Sequence, residues 1–223
     1  GVERAGLDAG QRWQLNPRLV YCNVRAYGAT GPLRDHPGYD PLMQAFAGLM
    51  SVTGEGEERP VRVGTSIIDK GTGLWCVIGI LTMLEQRHRT GQGGVVDTAL
   101  LETALAWMGF HVTDLQATGK IPVAQGSGVR GIAPYQAYRC SDGYLMVAAA
   151  NDRLFAALAS ALSHVEWPND PRFATNPDRY RNLDALNEIM GRVFLSESRL
   201  LWQERLSMSG VPCAPLQTLD EAV

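Results

Sequence analysis

The spacing of apolar positions changes several times along the chain, and each change marks an element. After the Asn16-Pro17 turn signal, residues 18–27 (RLVYCNVRAY) are rich in β-branched and aromatic side chains and predict a buried strand. The Gly/Pro-rich stretch 28–38 reads as a loop, and Asp40-Pro41 as an N-cap with proline at the first helical position. That helix is expected to run through Leu42, Phe46, Leu49 and Met50 and to stop near Gly54. Beyond the polar GEGEERP, residues 61–68 predict a second strand. From Thr72 to His88 apolar side chains occupy nearly every face, the pattern of a buried helix. Arg87, His88 and Arg89 followed by Gly91 place cations and a terminating glycine at its end. A short strand at 94–97 and a second long helical pattern at 98–118 follow. Strand, helix, strand, helix predicts an α/β unit with an open, mostly parallel sheet.

The texture changes after Gly119. A glycine-bearing loop, QGSGVRG at 125–131, precedes two β-rich runs, 134–139 and 144–149, separated by Ser141-Asp142-Gly143, a hairpin signal. Asn151 is placed to cap a helix reaching Leu162, and helical patterns recur at 182–195 and 198–208. The expected organisation is a large α/β domain over 1–131, a smaller α+β domain over 132–209, and a segment 210–223 leading back to the large domain. No internal repeat is present.

Composition narrows the function classes. At 45% hydrophobic and 19% charged, with a net charge of −3 over 223 residues, the chain reads as globular and offers no general attraction for nucleic acid or an anionic membrane. Cys22, Cys76, Cys140 and Cys213 are scattered without metal-ligand spacing, so no metal is expected. Cys22 and Cys76 lie among apolar residues and read as buried small hydrophobes, and a cytoplasmic location fits. The opening residues lack the apolar core of a leader, and the apolar stretch Leu74–Leu84 is too short to span a bilayer. The chain opens without Met and ends without a closing motif, as part of a longer protein would.

The candidate chemistry centres on VRVGTSIIDKGTGLW, residues 61–75, where one aspartate, Asp69, stands at a glycine-bearing junction between a predicted strand and a predicted helix. Spacing alone favours a capping aspartate. The functional alternative is a reactive carboxylate at the carboxyl end of a strand, where open α/β sheets bind ligands, with helix amides available to a developing oxyanion. Among the histidines, His88 reads as a C-terminal cap and His111 as a core residue, while His36 lies in the 28–38 loop. GxSxG, Walker A and HExxH signatures are absent, and GQGG at 91–94 precedes a strand instead of following one.

Taken in order, NPRLVYCNVRAYGATGPLRDHPGYDPLMQAFAGLMSVTGE, the block from VRVGTSIIDKGTGLW to DTALLETAL, APYQAYRCSDGYLMVAAAND, DPRFATNPDR and GVPCAP resemble the family III CoA-transferases of the formyl-CoA and carnitine CoA-transferase type. The resemblance covers essentially the whole chain. It implies the fold of that family, an interlocked homodimer, and acyl-CoA and a small carboxylic acid as substrates with no tightly bound cofactor. It places Asp69 as the catalytic nucleophile and Arg4, Arg25, Tyr27 and Leu100 at the coenzyme A site, with Arg25 standing where relatives carry lysine. The 125–131 loop resembles, loosely, a mobile glycine loop over the active site. Two alternatives stay open. One is an isomerase of the α-methylacyl-CoA racemase type, against which stands Tyr39 where that branch has histidine. The other is a non-catalytic fragment of a CoA-transferase, one that binds coenzyme A weakly or only dimerises.

Overall fold

The computed structural model describes residues 6–56 and 59–223, and the chain divides into two compact units, 1–124 and 125–223. The division falls at 124/125, ahead of the expected 131/132, so the glycine-bearing loop belongs to the second unit.

The first unit opens with α1 (Ala9–Leu15), whose N-cap Asp8 accepts the N–H of Gln11, and β1 (Val20–Arg25) follows. After α2 (Asp40–Phe46) and a 3₁₀ turn (Leu49–Ser51), the chain runs through an extended segment into α3 (Ile67–Thr90), then β2 (Gly94–Ala99), α4 (Leu100–Trp107) and α5 (Gly109–Thr118). β1 and β2 pair in parallel, Val20 opposite Gly94 through Arg25 opposite Ala99. The strand expected at 61–68 is absent: residues 61–66 pair with no strand, and the helix starts at Ile67, five residues before the expected Thr72. By propensity the β-branched run suits a strand, but its last two residues, Ile67 and Ile68, enter the helix. The helical pattern at 98–118 divides at Met108, where ψ is 3°.

The long helix α3 is not buried. One stripe of mostly small side chains lies on the sheet and on α4, running antiparallel to β2. A Cβ on Gly79 would collide with Val96 Cγ1, and one on Gly94 with the Met83 sulfur. Between these levels and the N-terminus, Cys76 Sγ meets Thr98 Oγ1 at 3.2 Å and Thr72 Oγ1 meets Thr103 Oγ1 at 2.8 Å. The large apolar residues point elsewhere: Leu74 and Leu81 are more than 60% exposed and Ile78 is 53% exposed. Apolarity on every face therefore did not mean burial, because the sheet accepts only the small-residue stripe. By length and composition α3 is long and apolar enough to cross a membrane, unlike the shorter Leu74–Leu84 stretch, but that alone is weak evidence and its packing is that of a crossover helix. Gly91 closes α3 in the left-handed region (φ 78°), its N–H on the Arg87 carbonyl, as the glycine signal predicts.

The second unit holds β3 (Tyr135–Cys140), β4 (Gly143–Ala148), α6 (Asp152–Ala161), a 3₁₀ turn (Trp167–Asn169), α7 (Asn176–Arg181), α8 (Leu183–Phe194), α9 (Arg199–Met208), β5 (Cys213–Pro215) and α10 (Leu219–Ala222). The hairpin forms as expected, and Asn151 caps α6 by accepting the Leu154 N–H at 2.9 Å. Residues 213–215, expected to lead away, instead add a third antiparallel strand against β4. Leu145, Val147, Phe155, Leu158, Leu186, Met190, Phe194 and Leu206, all fully buried, build one core beneath this sheet. Buried among them, Arg179 donates to the carbonyls of Ala133 and Phe173 and to Asp152, with its guanidinium 4.4 Å from the Phe155 ring centre.

Candidate active site

Because α3 runs antiparallel to β2, its N-terminus lies at the carboxyl end of the two parallel strands, the end at which open α/β sheets bind ligands. Asp69 sits in the first turn of α3, not ahead of it as a cap; the N-cap is Ser66, whose side chain makes no capping bond. The Asp69 side chain is exposed, and among the described residues its carboxylate has no hydrogen-bond or ion-pair partner. The adjacent Lys70 turns away, its Nζ donating to Thr65 Oγ1 at 3.0 Å.

The group that caps this helix comes from 29 residues earlier. Asp40, 3% exposed, accepts the N–H of Ile68 at 2.7 Å and of Asp69 at 3.1 Å, both on Oδ2. Its Oδ1 accepts the side-chain amide of Gln44 at 2.5 Å, and the Gln44 carbonyl oxygen accepts the Val63 N–H at 2.9 Å. Asp40 is thus the first residue of α2, with Tyr39 as its cap, and does not serve its own helix as the sequence suggested. A carboxylate on these amides also meets the positive end of the α3 dipole. The Ile67 N–H is taken by the Thr65 carbonyl and the Lys70 N–H by that of Ser66. Every amide from 67 to 70 therefore has a partner, and the expectation that this helix terminus offers amides to an oxyanion is corrected. Sequence reasoning missed Asp40 and Gln44 in this role because a cap supplied across the fold leaves no local spacing signal.

Behind the turn, Thr72 Oγ1 donates to the Ile68 carbonyl or shares a hydrogen with Thr103 Oγ1, which in turn reaches the Ala99 carbonyl at 3.1 Å. A Cβ on Gly71 would lie 2.8 Å from the Trp107 ring, so this glycine admits α4 rather than a ligand. Gly73 is exposed, with open space beside it.

Of the residues expected near coenzyme A, three gather at this end of the sheet. Arg25 closes β1 opposite Ala99 and is exposed. Tyr27, two residues on, is half-buried, its ring edge-on to Phe46 at 5.4 Å and to His36 at 6.4 Å. Leu100 opens α4 and joins Tyr27 and Ile67 in an apolar cluster around Met43, Ile68 and Ala104. Arg4 lies outside the described residues. His111 is half-buried and its Nδ1 has no hydrogen-bond partner among the described residues, so it is not the satisfied core histidine expected, and His88 is exposed at the α3 terminus. Cys22 and Cys76 are half-buried, whereas Cys140 is buried, and all four cysteines are free. The 125–131 loop is tied to its own unit, Ser127 Oγ accepting the Ala137 N–H at 3.0 Å. No cluster of potential metal ligands occurs among the described residues.

A parallel strand pair with a crossover helix, and an exposed carboxylate on the first turn of that helix, define an α/β protein with a candidate nucleophile. The chain belongs to CoA-transferase family III, whose family model matches residues 1–223. It is 34% identical over 222 residues to the acetyl-CoA:oxalate CoA-transferase of Acetobacter aceti, covering 99% of this chain and 57% of that protein. To the succinate–glutarate CoA-transferase of Agrobacterium fabrum it is 31% identical over 226 residues, covering 99% and 55%. The crystal structure of a CaiB/BaiF family protein from Brucella suis superposes with a TM-score of 0.89 at 35% identity, covering 100% of this chain and 59% of that one. The chain therefore spans a little over half the length of these relatives.

Proposed function

We propose that the chain carries the nucleophile of a CoA-transferase that moves coenzyme A from an acyl-CoA to a small carboxylic acid. The observation that carries this reading is the Asp69 carboxylate: exposed, unpartnered among the described residues, and fixed through its own backbone N–H at the carboxyl end of the parallel strands. Membership of family III supports the chemistry, and the oxalate and glutarate in the names of the relatives favour a dicarboxylic acceptor.

In the proposed sequence an Asp69 oxygen attacks the thioester carbonyl, the C–S bond breaks, and an acyl-aspartyl anhydride forms beside the CoA thiolate. The thiolate attacks the aspartyl carbonyl, releasing the donor acid as its carboxylate and leaving an aspartyl-CoA thioester. The acceptor carboxylate displaces CoA to give a second anhydride, and the thiolate then attacks the acceptor acyl carbon, forming the new acyl-CoA and freeing Asp69. No proton changes hands, so no paired histidine base is needed. The carboxylate divides one difficult transfer into easier exchanges. Arg25 is suited to a phosphate of coenzyme A, with Tyr27 and Leu100 forming an apolar wall beside it.

Incubation with acetyl-CoA or succinyl-CoA followed by intact mass spectrometry tests this. The expected product is a covalent CoA adduct on Asp69 that hydroxylamine removes and that Asp69→Ala abolishes. An unchanged mass, or an adduct that persists in Asp69→Ala, overturns the assignment.

A further inference from the structure

We infer that Asp40 and Gln44 are positioning residues that set the first turn of α3 for the reaction of Asp69; the inference rests on the reading of Asp69 as nucleophile. Three features of the geometry point to it. Asp40 and Gln44 are buried, at 3% and 0% exposed, although polar side chains of these types are normally found at surfaces. Their bonds to the backbone end on the segment that delivers Asp69: Asp40 on the N–H groups of Ile68 and Asp69 themselves, Gln44 on that of Val63 in the extended approach. The chain is therefore held on both sides of the Gly64-Thr65-Ser66 bend that turns it into the helix. Met43, between the two on α2, is fully buried with Ile68, so the apolar contact and the polar one fix the same turn. Burial keeps these side chains from the reacting atoms; their action is through the backbone of Asp69.

The bonding pattern has a direction that allows a decisive test. Asp40 acts as acceptor on both oxygens, while Gln44 donates to Asp40 through its amide and accepts from Val63 through its oxygen. In Asp40→Asn an oxygen can still serve the two backbone N–H groups, but the new NH₂ then faces the NH₂ of Gln44, donor against donor. Gln44→Glu alone sets two carboxylates against each other at the same place. Combining the two restores every bond with the charge moved from position 40 to position 44. The side-chain bond between these positions then runs in the opposite direction, from the new amide to the new carboxylate. The second oxygen of that carboxylate still accepts from Val63. A side chain that merely filled space or added bulk charge would not predict this reciprocity.

The experiment measures the rate of the hydroxylamine-sensitive CoA adduct at saturating acyl-CoA, and its half-saturation concentration, in the wild-type chain, D40N, Q44E, D40N/Q44E and D69A. Each single variant at Asp40 or Gln44 is expected to slow adduct formation by about 100-fold, the size of a misplaced reacting group, with half-saturation changed less than about 3-fold. The double variant is expected to return to within about 3-fold of the wild-type rate, since a restored network gives strong non-additivity. If D40N reacts at the wild-type rate while D69A does not react, the inference fails and the assignment of Asp69 stands. A double variant that is folded by circular dichroism yet stays as slow as the singles also overturns it. If the wild-type chain forms no adduct, or D69A forms one, the assignment of Asp69 itself fails and takes this inference with it.

Discussion

Asp40 and Asp69 stand 29 residues apart in the chain, yet a carboxylate oxygen of the first holds the backbone N–H of the second at 3.1 Å. The same oxygen holds Ile68 at 2.7 Å, so a buried acceptor satisfies two amides that a helix start normally leaves without intrahelical partners. Removing it in Asp40→Ala leaves both amides and the Gln44 side chain short of a partner where water has little access. The expected loss is about 2–3 kcal/mol, above that of an exposed cap. A urea titration followed by the resonances of Ile68 and Asp69 checks this. A midpoint within error of wild type means that the cap does not stabilise α3.

The glycines of α3 separate into two kinds, and substitution tells them apart. Gly79 lies where a Cβ would collide with Val96 Cγ1, and the branched valine cannot swing clear without leaving the sheet. Gly79→Ala is expected to destabilise by about 1–3 kcal/mol, overpacking outweighing the gain of alanine over glycine in a helix. Gly73, on the same helix with open space beside it, is expected to gain up to about 1 kcal/mol on the same change. Thermal unfolding of the two variants side by side reads opposite signs.

The same contrast bears on what was legible in the residues alone. Strand β1, the glycine stop at Gly91, the hairpin at 141–143 and the Asn151 cap rest on local rules of turn and cap chemistry, and each was readable. The role proposed for Asp69 rests on a block resembling a family, because one aspartate near a helix start has a commoner explanation. The start of α3 was not readable, since Ile67 and Ile68 suit a strand by propensity and the cap on their helical turn comes from Asp40, far away in the chain. The exposure of Leu74, Ile78 and Leu81 was equally hidden: hydropathy reports what a side chain prefers, whereas the sheet takes the face with the smallest residues. The third strand at 213–215 was missed because three residues carry no period.

In the second unit, Arg179 is fully buried and joins three parts of the chain through its bonds to Ala133, Phe173 and Asp152. Arg179→Met would fill much of the space while leaving two buried carbonyls without donors. Asp152 is 61% exposed and can be rehydrated, which places the expected loss at about 3 kcal/mol, the low end for breaking a buried pair. Arg179→Lys should recover little of this, because one ammonium on a flexible stem cannot reproduce three divergent donors on a planar fork. Urea midpoints read from the indole resonance of Trp202, whose N–H donates to the Phe194 carbonyl in the same core, would measure both variants. A lysine variant as stable as wild type would show that charge, not fork geometry, holds the site.

The same resonance reports how this unit responds to acid. Arg172 holds the Asp170 carboxyl below its ordinary range through side-chain hydrogen bonds, Thr175 and then Arg181 do so for Asp178, and Arg199 with the Thr218 N–H does so for Glu221. A depressed carboxylate binds its proton more readily in the unfolded chain, so its contribution is complete above the unfolded pKa of about 4 and is lost as pH falls through the folded value. The urea midpoint is therefore expected to stay level from pH 7 to about 5 and to decline below about 4. These groups are at the surface, and salt should shrink the decline. Arg199 supplies the control, since it faces both Asp142 and Glu221 and donates to the Leu216 carbonyl. In Arg199→Gln the level region should drop while the acid decline becomes shallower, because Glu221 then keeps only the part of its depression that Thr218 supplies. A decline of unchanged depth in that variant would assign the acid response to carboxylates other than Glu221.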